Sequence, residues 1–167
     1  MQLSDFLSNQ ENNRVFIFQC LTSLTDKQID YIEEKLHNDF FPNWFSHTQK
    51  IKPELLVLYR HFIIISSCQP SISGCSIDAL IKEMKILQSQ LSINLFNRLE
   101  VAYLRANKNI FSKEDNVEIL FLNYKKFTTL FSKNLTTGIY VFNNSIIESY
   151  DVWIQPLDHW LKNYQSS

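Results

Sequence analysis

Leu55-Leu56-Val57-Leu58-Tyr59-Arg60-His61-Phe62-Ile63-Ile64-Ile65 places two apolar runs on either side of Tyr59-Arg60. Short runs rich in branched aliphatic residues suit strands and are too brief for helices. With so tight a connection between them, the two strands are expected to pair as an antiparallel hairpin. Pro53 stands at the entry to the first strand, where a missing N–H breaks no ladder bond.

Upstream, Val15-Phe16-Ile17-Phe18 is a continuous apolar run, the pattern of a strand buried on both faces. Thr25-Asp26-Lys27-Gln28 reads as a capping box that opens a helix carrying Ile29, Ile32 and Leu36 on one side and ending before Pro42. Trp44, Phe45 and His47 fall in the connection to the hairpin, and Leu3 to Ser8 predicts a short helical turn. Downstream, a polar loop from Ser66 to Gly74 leads into Ile77, Leu80, Ile81, Met84, Leu87 and Leu91, whose spacing is helical. Strands are expected near 101–104, 117–122 and 139–142, a helix near 124–131, a turn at Asn143-Asn144, and a last short helix in the tail with Trp153, Pro156 and Trp160. Strands interleaved with helices predict an α+β fold. The expected architecture is one domain over residues 1–167, a mixed, largely antiparallel sheet of five to six strands with three to four helices packed on it.

A globule of 167 residues hides about 68–70% of the surface its unfolded chain exposes, and thirteen Phe and seven Tyr supply enough apolar area to do so without staples. Net charge is −1, with Lys and Arg scattered along the chain, which argues against a surface built to displace counterions from nucleic acid. Glycine occurs twice, alanine three times, proline and arginine four times each, while Asn, Lys, Ile and Phe abound. That is the signature of an AT-rich genome, so the Asn and Lys content is not read as function. The N-terminal MQLSDFLSNQENN has no basic region and no apolar run of signal length, and Phe62 to Ile65 is far short of a bilayer span. A cytoplasmic location without membrane insertion is expected. Cys20, Cys68 and Cys75 are odd in number and form no CxxC pair, as free thiols in a reducing compartment would be.

A phosphate-binding loop needs glycines at set offsets, because only they let successive N–H groups wrap a phosphate with no Cβ in the way. Gly74 precedes Cys75 and Gly138 precedes Ile139, so the chain holds no GxxxxGK[ST], no GxGxxG and no GxSxG. A nucleotide-dependent ATPase of that type is excluded. His37, His47, His61 and His159 show no HxxxH or HExxH, and Cys68 and Cys75 lack a second pair to complete a tetrahedron, so neither metal nor cofactor is expected.

One segment offers chemistry: Ser71-Ile72-Ser73-Gly74-Cys75-Ser76-Ile77-Asp78, at the entry to the 77–91 helix. A helix cap accounts for it in one way. Ser73 or Ser76 accepts from free first-turn N–H groups, Asp78 complements the dipole, and Gly74 permits a positive-φ bend. The same geometry also makes Cys75 the best nucleophile in the chain, since a thiolate is stabilised at a helix N-terminus. Hairpin topology brings the chain entering the first strand to the end where the second exits, and so carries His47 and Trp44 toward Cys75. His61, at the hairpin turn, falls at the opposite end. Arg98 is set apart as well, because about sixteen helical residues at roughly 1.5 Å each carry the chain some 24 Å away. The same N–H groups near Ser73 to Ser76 offer a small-anion site as a further reading.

Trp44-Phe45-Ser46-His47, Tyr59 to Ile65, Ser73 to Asp78, Leu95-Phe96-Asn97-Arg98 and Val141-Phe142-Asn143-Asn144 together resemble a small Bacteroidetes family commonly labelled "ABC transporter ATPase". The likeness spans most of the chain, with Ser73 to Asp78 and Leu95 to Arg98 its most specific parts. It implies no established activity, and the residues contradict the ATPase label. Thr48 departs from the glycine that tends to follow the His in that family, which weakens any transfer of a loop function to His47. The expected function is a non-enzymatic binding or accessory protein with a possible protein partner. The alternatives are a thiol enzyme using Cys75 with His47, and an anion-binding protein using Ser73, Gly74, Ser76 and Asp78 with Trp44 nearby.

Overall fold

The 55–65 hairpin forms and becomes the centre of a sheet. In the computed structural model, which describes residues 14–69, 71–105, 117–131, 137–144 and 153–165, β4 (Pro53–Leu58) pairs antiparallel with β5 (Phe62–Ser67), and β5 pairs antiparallel with β1 (Arg14–Gln19). Sheet order is β1-β5-β4. Every residue of β5 is buried, and the pleat sends alternate side chains to opposite cores. Ile63 and Ile65 join a cluster with the helices, whereas Phe62 and Ile64 join a cluster with a second sheet. Burying each of these side chains contributes about 1.5–3 kcal/mol.

The helical side consists of α1 (Asp26–Lys35) and α2 (Gly74–Leu91). Thr25 caps α1, accepting from the Gln28 N–H while the Gln28 side chain bonds back to the Thr25 N–H, as the capping box predicts. The α-helix ends at Lys35, before Pro42 as expected, and the chain continues through a π-turn (Leu36–Phe40) into a 3-10 turn (Phe41–Asn43), where Pro42 enters in the first positions, so its missing N–H breaks no bond. The small hairpin β2 (Phe45–Ser46) and β3 (Gln49–Lys50) follows. Along α2, Ser76, Leu80, Met84 and Leu87 form the buried stripe, and Ser92 ends the helix in the left-handed region at φ 52°.

The second sheet is antiparallel, in the order β7-β6-β8-β9, with β6 Glu100–Arg105, β7 Leu120–Asn123, β8 Ile139–Phe142 and β9 Ile154–Pro156. Its inner face meets the first sheet through Ala102, Leu104, Phe142 and Trp153. Its outer face is covered by α3 (Tyr124–Phe131) and α4 (Leu157–Gln165) through Phe127, Phe131, Leu157 and Trp160. The molecule is thus layered helix, sheet, sheet, helix. The α+β class and the antiparallel pairing follow the sequence expectation, but the described strands divide into two stacked sheets and a two-stranded hairpin. A strand apolar on both faces needs cover on both, and its sequence does not say whether a helix or a sheet supplies it. The turn expected at 3–8 lies outside the described residues, and no helix among the described residues is long and apolar enough to cross a membrane.

Candidate functional site

At the start of α2 the hairpin topology delivers the 44–46 segment, as expected. The Ser73 N–H donates to Ser46 Oγ at 2.9 Å, Ser76 Oγ donates to the Phe45 carbonyl at 2.6 Å, and Trp44 Nε1 donates to the Ser76 carbonyl at 2.9 Å. Ser73 is the cap, accepting from the Ser76 N–H at 3.3 Å, with the two hydroxyls 2.6 Å apart. Trp44 is sealed in the helical core at 2% exposure, against Phe16, Phe40 and Phe41. Cys75 is a free, exposed thiol and His47 is exposed at φ 55° in the turn of the β2–β3 hairpin, with no hydrogen bond joining them.

Two details of the cap differ from expectation. Gly74 has no positive φ, because Ser73 in extended backbone makes the bend and Gly74 is already the first helical residue. Asp78 is exposed beyond the first turn, which contains no acidic residue, so it does not meet the dipole where the free N–H groups lie. The Ser76 and Ile77 N–H groups are both taken by Ser73, leaving Gly74 and Cys75 to supply any free first-turn donors.

At the far end of the hairpin, Tyr59 and Arg60 both have positive φ, 50° and 56°, and the His61 N–H closes the turn on the Leu58 carbonyl at 3.1 Å. Arg60 anchors the turn by donating to the Leu24 carbonyl at 2.9 Å and pairing with Asp26. The His61 Nδ1 lies 2.8 Å from the Cys20 carbonyl, and since a carbonyl only accepts, Nδ1 carries the proton. Burial pushes the His61 pKa down, opposed in part by that bond.

A cleft lies elsewhere on the molecule. Of about 310 Å³, it runs beside β1, with Val15 to Gln19 all contributing to its lining. Opposite stand Ile81 of α2, the Leu95–Arg98 connection, Glu100 and Val101 of β6, and the Phe142–Asn144 end of β8. A chain of side-chain amides holds its end. Gln19, buried, donates to the Glu100 carbonyl at 3.1 Å and accepts from Asn144 at 2.6 Å, while Asn144 accepts from Trp153 Nε1 at 2.8 Å. Asn94 and Asn97 each accept the N–H two residues ahead, at 3.2 and 2.9 Å, and these two Asx turns shape the connection bearing Phe96 and Arg98. Phe96 packs edge-on to Phe18 at 5.8 Å, with Lys85 Nζ 6.0 Å from its ring centre. Arg98 is exposed and enters neither of the ion pairs found among the described residues, Lys35–Asp39 and Arg60–Asp26.

Sequence reasoning placed Arg98 away from Cys75 and went no further with it. The cleft joins residues from β1, α2, β6 and β8, and no local pattern announces such a meeting. The available signal was an Asn-rich connection ending in one of only four arginines. Comparisons with protein-family models, curated proteins and solved structures find no match to this chain.

Proposed function

We propose that this chain is a non-enzymatic binding protein whose ligand occupies the cleft beside β1. The observation that carries the reading is a concave, largely apolar surface on which one unpaired guanidinium and several amides converge, the general make-up of a recognition site. Phe16, Phe18 and Phe96 supply contact area, and Arg98 supplies charge. The lining among the described residues holds Arg98, Glu100 and Tyr124 but no thiol or imidazole, which suits holding a ligand more than transforming it. A nuclear magnetic resonance titration with a panel of small carboxylic acids and amides tests this. Signals of Phe18, Arg98 and Asn144 are expected to move together and to stop moving in Arg98→Ala. Shifts confined to other regions would overturn the reading.

A thiol enzyme remains the second reading, favoured by the bond from the Ser73 N–H to Ser46, the residue before His47. Cys75 is then the nucleophile and His47 its base. A His47→Ala variant that alkylates at Cys75 as fast as the parent at every pH would exclude that pair.

A further inference from the structure

Resting on the cleft as the binding site, we propose that its ligand is an extended segment of a partner protein, which adds to the free edge of β1 as a new strand and presents a carboxylate to Arg98.

Among the described residues β1 is an edge strand, paired only with β5. Among the described residues, the backbone of Arg14–Gln19 makes no hydrogen bond on its outer side. An antiparallel pair uses every second N–H and C=O, so the outer edge offers alternating donors and acceptors that another extended chain matches in register. Proteins guard such edges against chance pairing, and the opposite edge of this sheet is guarded: β4 opens with Pro53 and an exposed Glu54. β1 opens with Arg14, but Val15 to Phe18 carries neither proline nor charge, and its edge is recessed within the cleft.

The walls fit the alternating side chains of such a strand. Phe16 and Phe18 lie on the helical side with Phe96, whereas Ile17 lies on the side of the second sheet with Phe142. A chain beside β1 would therefore set successive apolar side chains on two apolar surfaces. Charge selects among such chains. Arg98 is exposed and unpaired, while Glu100 also lines the cleft, its backbone carbonyl tied to Gln19 at the end of β1. An acidic group is favoured at Arg98 and disfavoured near Glu100.

The test uses the full chain and random seven-residue peptides displayed on phage. An enriched sequence is synthesised plain and in two forms, each N-methylated at alternate residues. Strand addition predicts that one methylated form binds at least about tenfold more weakly while the other keeps its affinity, and that about half of the β1 amides become protected from exchange. Arg98→Gln is expected to weaken binding about tenfold, as for loss of one charged hydrogen bond. A library that yields no binder, two methylated forms that bind as the parent does, or unchanged β1 exchange overturns the inference. N-acetylphenylalanine, titrated separately, distinguishes the two levels. If it moves the Phe18 and Arg98 signals while no peptide adds to β1, the cleft is a small-molecule site and only strand addition falls. If neither probe moves those signals, the binding reading falls with it.

Discussion

Gly74 shows how a residue can be conspicuous in sequence without being required by the backbone. It occupies the first helical position of α2 at an ordinary φ, and a Cβ built there meets nothing within 4 Å. Gly74→Ala should therefore stabilise the protein by about 0.4–1 kcal/mol, chiefly by restricting the unfolded chain, and a denaturant melt measures it. Loss of stability would show that the glycine serves a ligand or a conformation beyond the cap. Thiol exposure is as sharply divided. Cys68 and Cys75 are exposed while Cys20 is fully buried, so a thiol reagent under native conditions should label the first two quickly and Cys20 only on unfolding. Labelling of all three at one rate would contradict the packing around β1.

Apart from Ser92 at the end of α2, the positive-φ residues other than glycine among the described residues lie in the hairpin turns. His47, Tyr59 and Arg60 hold left-handed backbone without being glycine, at a cost of roughly 1–2 kcal/mol each. At the β4–β5 turn the anchors are visible: Arg60 on Leu24 and Asp26, and Tyr59 against Phe142. At the β2–β3 turn His47 is exposed and held by no side-chain bond. His47→Gly should raise the unfolding free energy by about 1 kcal/mol, read from the shift of the urea midpoint. A fall would mean that the imidazole has a stabilising partner. The core strand behaves oppositely. Ile64 is fully buried between the sheets, and Ile64→Ala should cost about 2–5 kcal/mol in the same melt.

Across the whole molecule, pH acts through the junction of β1 and the central hairpin. His61 is held by Cys20 and packed against Phe121 at 5.1 Å, and burial lowers its pKa below the ordinary imidazole value of about 6.5. The folded state then binds a proton less readily than the unfolded chain. This contribution to stability is present in full above about pH 6.5 and is lost as pH falls through the lowered folded value. Unfolding free energies measured from pH 7.5 to 5 should decline, and His61→Gln, which keeps an amide near the Cys20 carbonyl, should flatten that slope. An equal slope in the variant would assign the decline to other groups. Much of this architecture was legible beforehand. The apolar runs at 15–18 and 55–65, the Thr25 capping box and the 77–91 periodicity specify their elements because local backbone preference and side-chain period act within a few residues. So does the exclusion of glycine loops, which depends on composition alone. Three features were decided only when distant segments met: the stacking of two sheets, the sealing of Trp44 under α2, and the cleft that sets Arg98 beside β1. Each depends on which apolar surfaces cover one another, a property of the packed chain that no single stretch of it contains.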